Sequence, residues 1–163
     1  MANTLALVRE TLAGLTEAGF AAAVFGGWAE ELHGLSQPRP HSDIDLTVVD
    51  PSLPLLDAYV QLRGEIATKR QSHKRAYIAA GVLVELFIVG TRHDRFVTTF
   101  WDTYEYDWPP LGPVEVNGLR VVTTEAVTAY PARPRLDHRA PPRRCVTVSW
   151  PVSGILCPTC VGR

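Results

Sequence analysis

Asp43-Ile44-Asp45 sets two carboxylates one residue apart at the start of an apolar run that continues to Val49. In an extended strand successive side chains point to opposite faces, so Asp43 and Asp45 project together while Ile44 turns into the core. Two carboxylates side by side repel each other unless a cation sits between them. Hard divalent ions such as magnesium take oxygen ligands of this kind, one or two carboxylates with substrate phosphates completing the shell. A third acid, Glu85, stands alone among the apolar residues of Val82-Leu83-Val84-Glu85-Leu86-Phe87-Ile88-Val89. A buried acid needs a partner, and a metal shared with Asp43 and Asp45 is the partner this pattern predicts. Upstream, Gly26-Gly27 follows an apolar run and opens a helical stretch. Backbone N–H groups at such a turn can hold phosphate oxygens, and glycine lets them approach closely. Together these pieces are the equipment for an in-line phosphoryl displacement, in which metal ions steady the attacking and leaving oxygens. Such chemistry needs positioning and charge neutralisation more than a protein nucleophile.

Each piece has an ordinary alternative. Glycine pairs are common in turns, an Asp-x-Asp pair is often solvated, and Glu85 fits an exposed position on a one-sided strand. Arg39 and His41 precede the aspartates and are placed to neutralise phosphate or orient a ligand; the competing reading is a solvated charge and a surface loop residue. The joint occurrence, in this order, favours the site.

The elements that must position these residues follow from periodicity and punctuation. Leu5, Val8, Leu12 and Leu15 recur at helical spacing within 3–18, with Asn3 or Thr4 as cap and Gly19 as stop. Residues 21–25 read as a buried strand, 28–33 as a helix ended by Gly34, and 44–49 as a strand ended by Asp50-Pro51. A helix is expected over 53–62. Strands 77–79 and 82–89 flank Ala80-Gly81 as a hairpin, and 96–108 reads as extended. Asn117-Gly118 suits a type I′ turn between 114–116 and 119–122, and Thr123 or Thr124 caps a helix over 125–130. The expected class is α+β, a mixed sheet packed by helices.

The chain has 163 residues, 46% hydrophobic and 20% charged, a globular balance with room for one core. No stretch approaches the roughly 20 apolar residues of a membrane span. Arg9 and Glu10 interrupt the first apolar stretch, so no signal-peptide pattern is seen, and the expected compartment is the cytoplasm. The net charge of −1 hides an asymmetry. Residues 1–130 carry 10 basic and 16 acidic residues, a net of −6, whereas 131–163 carry six arginines and the single acid Asp137. An acidic front portion argues against nucleic acid as a partner. All three cysteines lie in the last 19 residues, which does not describe a disulfide framework; Cys157-Pro158-Thr159-Cys160 lacks a second ligand pair and is taken as incidental.

Gly26-Gly27-Trp28-Ala29, the acids Glu30 and Glu31, Gly34, and then Arg39-Pro40-His41-Ser42-Asp43-Ile44-Asp45 resemble the nucleotidyltransferase superfamily. Within it they are most similar to the aminoglycoside and lincosamide adenylyltransferases, whose Gly-Gly-Trp start and Arg-x-His-x-Asp-hydrophobic-Asp close are separated by a long insert. Fifteen residues lie between Gly27 and Asp43 here. The similarity is firm over 24–49 and looser to about 130. It implies Mg2+ as cofactor and ATP as nucleotidyl donor, with Gly27 against the triphosphate. Asp43 and Asp45 match the paired metal ligands, and Glu85 matches the third carboxylate and general base. The implied acceptor is a hydroxyl of a small, aminoglycoside-like molecule, with pyrophosphate as co-product. Trp28 reads as a core anchor of its helix. Glu30 and Glu31 are a solvated helix face or a support for a cationic acceptor. Trp101, Tyr104, Tyr106 and Trp108 wall an acceptor pocket or form an edge strand with one buried face.

The resemblance stops near Tyr130. Pro131 and Pro134 break the expected helix, and the simultaneous rise of Arg, Pro and Cys has the bias of a shifted reading frame in a GC-rich gene. The expected organisation is therefore a nucleotidyltransferase-like domain over 1–130 and a non-native tail over 131–163, with the last helices missing. Two alternatives remain open: a toxin-like enzyme acting on protein or RNA, and a truncated remnant that at most binds nucleotide.

Overall fold

The computed structural model describes residues 3–130. The expectations for 131–163, including the two Cys of the Cys-x-x-Cys spacing, lie outside the described residues.

Helix α1 (Leu5–Glu17) begins at Thr4, whose hydroxyl accepts from the Leu7 N–H at 3.3 Å. Its buried residues Val8, Thr11, Leu12 and Leu15 form one stripe at helical spacing. Strand β1 (Ala21–Phe25) runs straight into helix α2 (Gly26–Leu32). A loop leads to β2 (Asp43–Val49), followed by α3 (Leu53–Gln61) and a single 3-10 turn, Ala67–Lys69. Then come β3 (Lys74–Ala79), β4 (Val82–Arg92), β5 (Arg95–Phe100), β6 (Tyr104–Asp107), β7 (Val114–Val116), β8 (Leu119–Val121) and α4 (Thr124–Ala129).

The strands form one mixed sheet in the order β6-β5-β4-β2-β1-β8-β7, with β3 also paired to β4. Strand β2 is antiparallel to β1 and parallel to β4. Between β2 and β3, the first part of β4 is paired on both edges and mostly buried, which is why it reads as a near-continuous apolar run. The α+β class and helix-packed mixed sheet are as expected.

Alternation divides the sheet into two faces. Ile44, Leu46, Val48, Val84 and Leu86 are buried on one of them. Arg75 and Tyr77 point the same way and meet α3 through Asp57 and Tyr59. Asp43, Asp45 and Glu85 belong to the other face, which Phe25 and Phe87 share by register. There Phe25, Trp108 and Tyr130 pack ring to ring, with the last two parallel at 5.3 Å. An aromatic floor thus lies beside the carboxylates.

Several boundaries differ from expectation. Helix α2 starts at Gly26, not Trp28, because the positive φ of Gly26 (62°) turns the strand directly into the helix. Strand β3 starts at Lys74, three residues earlier than expected, since Lys74 to Ala76 pair with Phe87 to Glu85 of β4. The 96–108 stretch is two strands, not one, folded back at Trp101 and Asp102 with φ of 50° and 57°.

One ion-pair cluster ties α3 to β3. The buried Arg75 donates through Nε to Asp57 at 2.6 Å and through Nη1 to the Lys74 carbonyl at 2.9 Å; Arg70 also reaches Asp57. Burial works to raise the Asp57 pKa, but Arg75 and Arg70 outweigh it and hold the carboxyl below its ordinary 3.8. A lowered native pKa stabilises the fold above the unfolded value, and that stability is lost as pH falls through the native value. Asp57→Ala is expected to cost about 2–3 kcal/mol at pH 7, since a charged hydrogen bond goes and Arg75 is left buried. In urea unfolding, the gap between wild type and variant should narrow below about pH 4.

Candidate active site

Asp43 and Asp45 lie on one face of β2 with Ile44 fully buried between them on the other, as their spacing predicts. Parallel pairing sets Asp45 opposite Glu85 on β4, so three acids from two adjacent strands share one patch of sheet. Gly26 lies directly behind Asp45. A Cβ on Gly26 would fall 2.3 Å from the Asp45 Oδ2. The glycine at this position is therefore required by the carboxylate as well as by the turn.

Asp45 accepts no hydrogen bond among the described residues. Burial first, then the charges of Asp43 and Glu85, push its pKa from 3.8 up to about 7, against the pull of Lys74 and Lys69. Glu85 has the opposite fate. Burial raises its pKa, but Lys69 and Lys74 outweigh this and hold it below the ordinary value. Lys69 Nζ lies 2.6 Å from Glu85 Oε1, and Lys74 Nζ lies 3.3 and 3.2 Å from the two oxygens. Among the described residues no group of three or more His, Cys, Asp or Glu side chains is gathered so as to hold a metal ion. Glu85 is turned to the lysines. Asp43 and Asp45 are oxygen donors of the kind a hard divalent cation takes, and no lysine or arginine forms an ion pair with either among the described residues.

The loop before β2 is strapped to α2. Arg39 pairs with Glu30 at 2.7 Å, and His41 Nε2 lies 2.9 Å from Glu31 Oε2. The bond to His41, with the charges nearby, holds Glu31 below its ordinary pKa. The buried His41 ring lies 4.2 Å from the Trp28 ring. A Cβ on Gly27 would meet His41 Nδ1 at 2.9 Å and the Arg39 guanidinium at 3.2 Å, so Gly27, Arg39 and His41 do converge. Glu31 is accordingly a support for His41, not a free helix face. Trp28 is the buried anchor expected of it. Its indole N–H donates to Asn3 Oδ1 at 3.2 Å, and Asn3 in turn donates to the Asp43 carbonyl at 2.7 Å. That chain of bonds fixes the start of β2 against α2.

Tyr106 and Trp108 are buried in the aromatic cluster, which answers the choice for 101–108 in favour of an edge strand with one buried face. Trp101 borders an open cleft of about 570 Å³ lined also by Arg70, Gln71, Ser72, Arg75 and Asp102.

Lys69 and Lys74 were not anticipated. The signal was present, because Glu85 needed a partner and the two-residue turn at Ala80-Gly81 fixes the β3–β4 register. That register puts Ala76 opposite Glu85 and Lys74 two residues further on, on the same face.

No family model and no curated protein matches the chain. Solved structures do. The fold superposes on the lincomycin-bound lincosamide antibiotic adenylyltransferase LnuA with a TM-score of 0.63 at 12% identity, over 80% of this chain and 87% of that one. It superposes on ANT(2″)-Ia in complex with adenylyl-2″-tobramycin with a TM-score of 0.55 at 20% identity, over 78% and 75%. The solution structure of ANT(2″)-Ia, an antibiotic-resistance factor, matches with a TM-score of 0.55 at 20% identity over 75% and 66%. The likeness is one of fold: the chain shares the fold of these antibiotic adenylyltransferases at low sequence identity.

Proposed function

We propose that this chain transfers a nucleotidyl group, AMP from ATP, to a hydroxyl of a small-molecule acceptor of aminoglycoside-like chemistry, with release of pyrophosphate. The observation that carries the reading is Asp45: a half-buried carboxylate, unpaired beside Asp43 and Glu85, with Gly26 clearing the space behind it. A pair of hard oxygen donors without an ion-pair partner fits magnesium, which would neutralise charge on the phosphates and on the developing transition state. Asp43 and Asp45 would hold it, with Glu85 completing the carboxylate set.

In the reaction the acceptor oxygen attacks the α-phosphorus of ATP, the bond from that phosphorus to the pyrophosphate oxygen breaks, and the acceptor's hydroxyl proton passes to a base. Glu85 is the carboxylate assigned to take that proton. Gly26 and Gly27 let the triphosphate approach the backbone, and Arg39 and His41, converging on Gly27, offer it positive charge and hydrogen bonds. The small-molecule acceptor is supported by the antibiotic-modifying enzymes that share the fold and by the acidic balance of residues 1–130. Among the described residues no helix is long and apolar enough to cross a membrane.

Thermal unfolding of the full chain tests the reading. Magnesium and ATP together are expected to raise the midpoint, by about 2.7 kcal/mol of stabilisation at 100 times the dissociation constant. Either ligand alone should do much less, and Asp43→Asn/Asp45→Asn should abolish the effect. A cooperative transition indifferent to magnesium and ATP would refute nucleotidyl transfer and leave a non-catalytic remnant. With binding established, pyrophosphate release on adding an aminoglycoside, and none on adding protein or RNA, identifies the acceptor class.

A further inference from the structure

The two lysines on Glu85 are not equivalent. Lys74 is rooted in β3, its side chain is only 16% exposed, and it spans both carboxylate oxygens. Its backbone is held by the strand pairing, and its ammonium has two bonds to Glu85 and little access to water. Lys69 sits on the single turn Ala67–Lys69, none of whose residues is buried, and its side chain is 39% exposed. It reaches Glu85 through one bond, at 2.6 Å to Oε1. An ammonium held from an exposed turn gives up little when it returns to water.

The charges around it are unequal. Asp43, Asp45 and Glu85 bring three carboxylates, the lysines bring two ammoniums, and both ammoniums are spent on Glu85. The neighbouring Asp45 receives none. A divalent cation between the aspartates and Glu85 would supply more charge than Lys69 does and would compete for the same Oε1.

We propose that Lys69 is a displaceable stand-in for the divalent cation on Glu85. Its ammonium holds the carboxylate while no cation is bound, and it swings out to solvent as the cation arrives, while Lys74 stays. Lys69 is thus a positioning residue that decides when Glu85 joins Asp43 and Asp45. The inference rests on the reading of these three acids as the cation-binding set.

The test uses the full chain with MgCl2 or MnCl2 alone and no nucleotide. Amine-selective labelling followed by mass spectrometry reports the accessibility of each lysine at fixed pH. MgCl2 is expected to raise labelling of Lys69 several-fold and leave Lys74 nearly unchanged, and Asp43→Asn/Asp45→Asn should remove the rise. Lys69→Gln should bind Mn2+ several-fold more tightly, measured from the free-ion electron paramagnetic resonance signal, and Lys69→Arg should return the affinity toward wild type. Unfolding midpoints confirm that these exposed-turn variants fold. If Mn2+ binds and the double aspartate variant loses it, yet Lys69 labelling does not respond, the stand-in role is overturned while the carboxylate reading stands. If neither wild type nor Lys69→Gln binds the ion, both fall.

Discussion

Asp45→Asn is expected to stabilise the metal-free protein and to abolish the nucleotidyl transfer proposed for it. The carboxyl of Asp45 is pushed from 3.8 to about 7 by burial and by the charges of Asp43 and Glu85. A native pKa above the unfolded one means that, between those values, the folded chain keeps a proton the unfolded chain has lost. Stability is then full below about pH 3.8, falls as pH rises toward 7, and stays reduced above it. The difference is worth about 4 kcal/mol. Asparagine keeps the shape and removes the charge, although its buried amide recovers less than the whole, so a gain of about 2–3 kcal/mol is expected at pH 8. The gain should vanish near pH 4. Urea unfolding in the presence of a chelator, at both pH values, measures it. Transfer should fall at least about 100-fold, more than is usual for losing a group that merely supports a metal ligand. A variant less stable than wild type at pH 8 without metal would show that Asp45 has a favourable partner within the protein. Excess magnesium should close the gap by stabilising wild type alone.

The parts of this site that depend on local period were legible from the residues; the parts that depend on register were less so. Asp43 and Asp45 share a face because β2 alternates, and nothing distant is needed to know it. The hairpin at Asn117-Gly118 and the cap at Thr123 follow equally from local chemistry. Glu85 opposite Asp45 depends on a parallel pairing that no local signal encodes; the lone-acid argument and the family resemblance group the three acids without giving that register. A β3 that begins at Tyr77 leaves Lys74 outside the sheet, and Lys69 lies on a separate turn that no sequence period marks. The stretch before Tyr77 is mostly polar and basic, and Arg75 is buried only because Asp57 on α3 meets it. The fold at Trp101-Asp102 is hidden from the sequence for a related reason. Asp102 tolerates left-handed backbone but the bulky Trp101 rarely adopts it, and the turn persists because Phe100 and Tyr106 are buried on either side of it. The pairing of His41 with Glu31 was half visible: both lay within the motif, but only the folded loop brings them to 2.9 Å.

Gly26→Ala should damage the protein more than the same change at Gly14, Gly19, Gly27, Gly34, Gly64, Gly90, Gly112 or Gly118. Two effects act at once. The backbone φ of 62° is left-handed, which disfavours a residue with a Cβ by about 1–2 kcal/mol. The new methyl carbon would also stand 2.3 Å from Asp45 Oδ2 and 3.0 Å from its Cβ and Cγ, so the carboxylate or β2 itself must shift. Overpacking of this kind adds about 1–3 kcal/mol. Gly19→Ala separates the two contributions, because Gly19 has a φ of 83° but nothing within 4 Å of its added Cβ. The stability lost by Gly26→Ala beyond that of Gly19→Ala is the contact with Asp45. Combining Gly26→Ala with Asp45→Ala should recover most of that excess, since the obstructing carboxylate is gone, yet recover no transfer. Chemical denaturation of the four proteins gives the coupling directly. Additive losses would mean that Gly26 is kept for its turn alone and that the carboxylate does not press against it. A coupling close to the full excess would mean that the glycine is there to let Asp45 point where a cation can reach it, and Gly26→Ala should then weaken binding of Mn2+ in proportion to how far it turns that carboxylate aside.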